Sequence, residues 1–278
     1  MVRRVSTYVN GLATSYLEAG PDRMCDTRPL VLLHGGEFGG DAELAWERVI
    51  DRLAVDRRVV APDVLGFGES AKVVDFVDGR GIRLRHVAAL CATLGIERAD
   101  FVGNSMGAVM LLVDAASGNP VLPVDRIVAI CGGGEILANE YSQALYEYDA
   151  TVEGMRRIVR ALFASESWLN DEYVHRRRES SLRPGAWEAV AAARFRRPGH
   201  VSASGSELDY HRIGHPTLLV EGELDKLKPR GWAKEIASRI PGASSAVVNG
   251  AGHCPQLERP EEVVRLIRAF LDDERGRG

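Results

Sequence analysis

The chain has 278 residues, of which 45% are hydrophobic and 27% charged, with a formal net charge of -4. That balance is ordinary for a soluble globular protein and excludes the disordered and collagenous classes. It lacks the concentrated Lys and Arg excess that phosphate binding needs, so neither nucleic acid nor a membrane is expected as a partner. The length suits one sizeable core carrying an inserted subdomain.

The basic start, Met1 to Thr7, is not followed by the apolar stretch and small-residue cleavage site of a secretory signal, and no stretch approaches a membrane span. Cys25, Cys91, Cys131 and Cys254 lie far apart without CxxC spacing, so neither a zinc site nor a disulfide framework is expected. A cytoplasmic protein is expected.

In chain order, Thr7-Tyr8-Val9 and Ala13 to Leu17 flank Asn10-Gly11, a pair that tolerates the positive φ of a tight hairpin. A polar loop with Pro21 and Asp22 leads to Pro29-Leu30-Val31-Leu32-Leu33, a continuous apolar run of the kind buried in parallel sheets. It ends in His34-Gly35-Gly36. Asp41 can cap a helix through Leu44, Trp46, Val49, Ile50 and Leu53. Arg58 to Asp63 reads as the next strand, Leu84 to Leu94 as a helix stopped by Gly95, and Phe101 onward as a strand. Arg126 to Cys131 adds another apolar strand before Gly132-Gly133-Gly134.

From about Glu135 to Arg212 the alternation gives way to helical composition, broken at Pro184-Gly185 and Pro198-Gly199. Eleven arginines and twelve acidic residues balance there, which disfavours a polyanion site. His215 to Val220, helix Gly231 to Ile240, strand Ser245 to Val248 and helix Glu261 to Phe270 resume the alternation. The expected fold class is α/β: a mostly parallel sheet flanked by helices. Residues 1–134 and 213–278 form its core, and 135–212 form a helical cap.

The chemistry centres on Gly103-Asn104-Ser105-Met106-Gly107, a Gly-x-Ser-x-Gly pentapeptide between an apolar strand and an apolar helix. In such an elbow the small flanking residues let strand and helix approach, and a strained backbone presents the serine hydroxyl. A serine needs a histidine base and a carboxylate to orient it. Asp225 and His253 each follow a predicted strand, and Ser, Asp, His is the chain order of a hydrolase built on this pattern. Glu221 and Glu223 are the nearby acidic alternatives, but Glu221 falls within the strand, and Asp225 lies three residues beyond Gly222. His34 reads as a loop-organising side chain, Cys254 as a small pocket-lining residue, and one arginine of His175-Arg176-Arg177-Arg178 as a candidate clamp for a substrate carboxylate.

On these motifs, over essentially its whole length, the chain resembles an α/β-hydrolase. The resemblance implies an oxyanion hole formed by the backbone N–H groups of Gly36 and Met106. Within that superfamily the elbow, the glycine-rich loop after His34, the segment Val60 to Ser70 and the cap length are similar to the meta-cleavage product hydrolases. That family hydrolyses a carbon-carbon bond in 2-hydroxy-6-oxo-dienoates. The similarity implies substrate contacts at Gly35, Asn104, Arg177 and Cys254, with Arg177 at the position of the family's carboxylate-binding arginine. Three positions depart from it: Ala45 replaces an asparagine, Cys254 a tryptophan, and Glu37 a small residue.

The expected function is therefore a Ser-Asp-His hydrolase of a dienoate or related diketone. A carboxylic ester or lactone hydrolase of a specialised pathway and a slow-turnover binding protein are the alternatives. A small-molecule substrate is expected and no metal or organic cofactor is required, while a homodimer is left open. Ser105 at the elbow argues against haloalkane dehalogenases and epoxide hydrolases, whose nucleophile is aspartate.

Overall fold

A computed structural model describes residues 1–21, 27–192 and 208–273. The expectations placed on Asp22, Cys25 and Pro198-Gly199 lie outside the described residues. Strands β1 (Arg3–Val9) and β2 (Leu12–Ala19) pair antiparallel across Asn10 and Gly11, whose φ values of 50° and 78° meet the requirement of the tight turn. The remaining strands are β3 (Leu30–Leu33), β4 (Val59–Pro62), β5 (Ala99–Asn104), β6 (Val124–Ile130), β7 (Thr217–Gly222) and β8 (Ser244–Val248). They complete an eight-stranded sheet in the order β1-β2-β4-β3-β5-β6-β7-β8, antiparallel at β2 and β4 and parallel from β4 to β8.

The apolar runs are continuous because both faces of the sheet are covered. Alternate residues go to opposite sides: Val31, Leu33, Phe101 and Ile127 join one core cluster, and Leu30, Leu32, Val102 and Val128 the other. Helices α1 (Ala42–Trp46) and α2 (Ile50–Leu53) pack on the second side, while α3 (Gly79–Thr93) and α4 (Met106–Ala116) pack on the first. The single helix expected after Asp41 is thus two short ones. Asp41 Oδ1 does accept the Leu44 N–H at 2.8 Å, but the Val49 N–H bonds back only three residues to Trp46, and this tighter turn interrupts the helix.

Between β6 and β7 stand α5 (Glu140–Tyr146), α6 (Val152–Leu162), α7 (Asp171–Ser181) and α8 (Ala186–Ala192). Met155, Ile158, Val159 and Leu162 form the buried stripe of α6 at helical spacing. This stripe, with Phe163, Tyr173 and Val174, shares a third cluster with Phe38, Leu227 and Cys254 from loops at the carboxyl ends of the strands and with Leu257 from the short helix after Cys254. Burial of apolar area, worth about 25 cal/mol per Å², therefore seats the inserted helices over those strand ends. The chain closes with α9 (Trp232–Ala237), the short α10 (Pro255–Glu258) and α11 (Pro260–Asp272). Among the described residues no helix is long and apolar enough to cross a membrane.

Candidate active site

The elbow is a strand, one residue and a helix. β5 ends at Asn104, α4 begins at Met106, and Ser105 between them has φ 51° and ψ -114°. Such a backbone costs a non-glycine residue about 1–3 kcal/mol. The surroundings hold it there: the Ser105 N–H donates to the Ile130 carbonyl at 2.8 Å, and its own carbonyl accepts the Val109 N–H at 3.0 Å. A Cβ on Gly103 would collide with the backbone of Gly107 and Ala108, and one on Gly107 with the Leu33 carbonyl, so both flanking positions exclude larger residues.

Three strand ends converge on this hydroxyl. His253, in the loop after β8, places Nε2 2.9 Å from Ser105 Oγ and Nδ1 2.7 Å from Asp225 Oδ2. Asp225 follows β7 by three residues, its N–H donating to the Gly222 carbonyl at 3.1 Å. Its other oxygen accepts the Leu227 N–H at 2.8 Å. Burial pushes the Asp225 carboxyl up, but the charge and hydrogen bond of the His253 ring, with the Leu227 N–H, hold it below the ordinary aspartate range. An ionised Asp225 that accepts from Nδ1 keeps a ring proton there and turns Nε2 toward the serine.

The two acidic alternatives are committed elsewhere. Glu221, inside β7, accepts the N–H groups of Gly231 and Ala233 at 2.8 and 3.2 Å, at the start of α9. Glu223 accepts the Gly250 N–H at 2.8 Å. Cys131, at the end of β6, lies beside Asp225 and His253, and the ligand-type atoms of the three fall within 4.8 Å of one another. Burial and then Asp225 raise the Cys131 thiol well above its usual value, so it stays protonated, while Asp225 and His253 are spent on each other.

Gly36 and Met106 meet at the elbow. Met106 opens α4, where the first backbone N–H groups of a helix have no partner within it. The missing side chain of Gly36 lets that backbone lie against Met106, since a Cβ there would be 2.7 Å from Met106 Sδ. His34 organises this loop. Its Nε2 accepts the Val64 N–H at 3.0 Å, which leaves the ring proton on Nδ1 to donate to the Gly35 carbonyl at 2.6 Å. Because a trans peptide points its C=O and N–H in opposite directions, holding the Gly35 carbonyl also sets the direction of the Gly36 N–H.

Asn104 uses its side chain to bind backbone on two neighbouring segments. Its side-chain amide donates to the carbonyls of His253 at 3.1 Å and Ile130 at 3.3 Å, stitching the histidine loop to the elbow. The Cys254 thiol lies 3.9 Å from Asn104 Oδ1 and is buried in the third cluster. Ala45 is half-buried on α1, packed against the second core cluster.

Of the arginine run, only Arg177 turns inward. His175 is exposed, Arg176 pairs with Glu47 at 2.7 Å, and Arg178 donates to the Ala150 carbonyl at 2.8 Å. Arg177 is 1% exposed, and its Nη2 donates to Glu37 Oε1 at 2.8 Å. The sequence offered the run as a candidate clamp, and the fold selects Arg177 from it and supplies its partner.

Sequence reasoning missed Glu258 and Lys226. Glu258, at the end of α10, accepts the Gly252 N–H at 2.6 Å through Oε2 and the Ala164 and Ser165 N–H groups at 3.0 Å through Oε1. It thereby joins the histidine loop to the chain just after α6. Lys226 donates to the carbonyls of Arg160 and Phe163 at 2.7 and 2.9 Å, capping the carboxyl end of α6 from the residue after Asp225. No local motif marks either residue. Two open grooves of about 310 and 660 Å³ border α5, and neither touches the Ser105, Asp225 and His253 cluster.

The sequence matches the alpha/beta hydrolase family model over residues 30–266. It is 32% identical over 247 residues to a 2-hydroxymuconate semialdehyde hydrolase of Pseudomonas sp. (strain CF600), covering 87% of this chain and 86% of that one. It is 31% identical over 252 residues to a 2-hydroxy-6-oxo-2,4-heptadienoate hydrolase of Pseudomonas putida (strain F1), covering 88% and 90%. Among solved structures, a mutant of the meta-cleavage product hydrolase from Pseudomonas fluorescens IP01, complexed with acetates, superposes with a TM-score of 0.83 at 25% identity, covering 96% and 97%. With its sheet order, its elbow and these likenesses, the chain belongs to the α/β hydrolase family and is similar within it to the meta-cleavage product hydrolases.

Proposed function

We propose that the protein is a serine hydrolase that transfers an acyl group to water, with Ser105 as nucleophile, His253 as general base and Asp225 as the group that orients it. The observation that carries this reading is the position of His253, 2.9 Å from Ser105 and 2.7 Å from Asp225. Ser105 Oγ attacks the carbonyl carbon as its proton passes to His253 Nε2. The N–H groups of Gly36 and Met106 donate to the resulting oxyanion, where one such donor contributes about 3–4 kcal/mol. The leaving group takes the proton from His253, and water activated by the same ring releases the acyl group from Ser105. The helices between β6 and β7 act as a cap over the bound substrate.

The favoured substrate is a diketone of the 2-hydroxy-6-oxo-dienoate type, cleaved at the carbon-carbon bond beside the ketone. The names of the relatives support this choice. A carbon leaving group must first become able to hold an electron pair, so an enol-to-keto step precedes the attack. A second reading, hydrolysis of an ester or lactone, is favoured by one observation: the inward arginine already holds Glu37. The test is loss of the visible absorbance of a 2-hydroxy-6-oxo-dienoate, beside a chromogenic ester, with wild type and Ser105→Ala. Turnover of the dienoate that exceeds ester turnover and depends on Ser105 is expected. Equal hydrolysis by the Ser105→Ala variant would overturn the nucleophile, and ester turnover alone would select the second reading.

A further inference from the structure

The most unusual group near the proposed site is a buried ion pair that the mechanism above does not use. Arg177 comes from α7 and Glu37 from the loop that carries Gly35 and Gly36, so the pair spans the inserted helices and the sheet. The two side chains are 2% and 10% exposed. Burial pushes the Glu37 carboxyl up, but Arg177 holds it below the ordinary glutamate range. Burial would lower Arg177, but Tyr173 and Glu37 raise it above its usual value. Both groups are charged, and together they are neutral.

The glutamate is built into its place. A Cβ on Gly35 would strike Glu37 Oε2, and one on Gly40 would lie 3.2 Å from Oε1, so two glycines leave the room that the carboxylate fills. The guanidinium spends Nη2 on Glu37 and, at 3.4 Å, on the Phe38 carbonyl, and Nη1 on the Tyr173 hydroxyl at 3.2 Å. Among the described residues its buried Nε has no hydrogen-bond partner. Cys254, the neighbour of His253, lies within the electrostatic reach of both charges: burial raises its thiol, Glu37 adds to that and Arg177 opposes it.

A buried guanidinium beside a reaction centre is an anion site, because its planar donors match a carboxylate. Here a carboxylate of the protein is already in it. A substrate carboxylate reaching for Arg177 would lie against Glu37, where two like charges cannot both stay ionised without cost, or would displace Glu37 into an uncompensated buried state. We propose that Glu37 determines specificity by filling the anion site of Arg177 from within, so that the pocket takes an acyl substrate uncharged at that end: a neutral ketone, ester or lactone. This rests on the serine-hydrolase reading and narrows its substrate: a dienoate would have to hold its carboxylate away from Arg177, whereas a neutral ester or lactone needs no such site.

The test compares the 4-nitrophenyl monoester of glutaric acid, which carries a free carboxylate, with its methyl ester, which does not. Release of 4-nitrophenolate is followed for wild type, Ser105→Ala, Glu37→Gln, Glu37→Gln/Arg177→Met and Glu37→Leu/Arg177→Met. Wild type is expected to favour the neutral ester in kcat/KM by about tenfold or more. Glu37→Gln should raise kcat/KM for the carboxylate ester by about tenfold, mainly through KM, with the neutral ester changed only a few-fold. Adding Arg177→Met should remove that gain, because the freed guanidinium supplies it.

Wild type that hydrolyses both esters equally in a Ser105-dependent manner would overturn the specificity role and leave the hydrolase reading standing. Hydrolysis unchanged in Ser105→Ala would overturn both, and no turnover of either ester would overturn the specificity role. A loss in Glu37→Gln that is equal for the two esters would mark Glu37 as structural only. Should Glu37→Gln fail to fold, Glu37→Leu/Arg177→Met removes both charges together, and the preference for the neutral ester must shrink in it to below about threefold for the proposal to stand, since no ion then remains to repel or attract.

Discussion

Two acid-base pairs lie buried at the carboxyl ends of the strands, and they differ in what they can release. Asp225 and His253 meet at 2.7 Å, and Glu37 and Arg177 at 2.8 Å. Each joins segments distant in sequence, and in each the carboxyl is held below its ordinary range against the pull of burial. An imidazole, however, is a side chain that can pass a proton on in a reaction, whereas a guanidinium is not. The first pair is open to a third partner, since His253 has Ser105 on its other nitrogen. The second is closed, with Tyr173 and Phe38 around the same guanidinium. Burial of a charged pair therefore does not mark a catalytic site by itself. What distinguishes one is a partner whose charge changes and a reactive group within its reach.

The largest expected effect tests the open pair. Asp225→Asn should keep the fold but lower kcat by about 10⁴-fold, because an amide favours the wrong histidine tautomer. Steady-state kinetics with either ester above measures it, and a drop below tenfold would break the distinction. For the closed pair the effect should appear in stability instead. Arg177→Met alone leaves a buried unpaired carboxylate and should cost about 3–5 kcal/mol, whereas Glu37→Leu/Arg177→Met should lie near wild type. Denaturant midpoints of the two variants compare them directly.

Acid sharpens the same contrast. With both carboxyls lowered in the folded state, the unfolded chain binds more protons around pH 4, so stability rises with pH there and falls as the medium is acidified through the folded-state values. The thermal midpoint should drop between about pH 5 and pH 3, and less so in Glu37→Leu/Arg177→Met. Equal drops would show that the Glu37 pair contributes nothing to the acid sensitivity. The smallest effect concerns the scaffold around the open pair. Glu258→Gln keeps the shape but weakens three charge-assisted hydrogen bonds to backbone N–H groups, costing about 1–3 kcal/mol. Stability and kcat should fall together, and a variant stable as wild type with unchanged kcat would remove Glu258 from the support of His253.

The elbow illustrates why part of the site was legible in the sequence. Gly103 and Gly107 flank a serine between an apolar strand and an apolar helix, and only small residues fit where those elements approach. Asp225 and His253 were legible because each follows an apolar strand by a few residues, in the order the fold requires. Glu258 and Lys226 were not, since the backbone groups that each ties to its own loop belong to a segment more than 60 residues away. The amide bonds of Asn104 to the carbonyls of Ile130 and His253 were not legible either, since those residues lie 26 and 149 positions away.

The sequence by itself determined the strand and helix alternation, the hairpin at Asn10-Gly11 and the three residues proposed for catalysis. Those features rest on local periodicity, on turn chemistry and on motifs a few residues long. Tertiary structure alone decided which way Arg177 turns and what it meets. Glu37 and Arg177 are 140 residues apart, and only the seating of the inserted helices on the strand ends brings them together. A charge pair of that separation leaves no periodic trace in the chain, because its energy depends on burial and distance, which the folded packing creates.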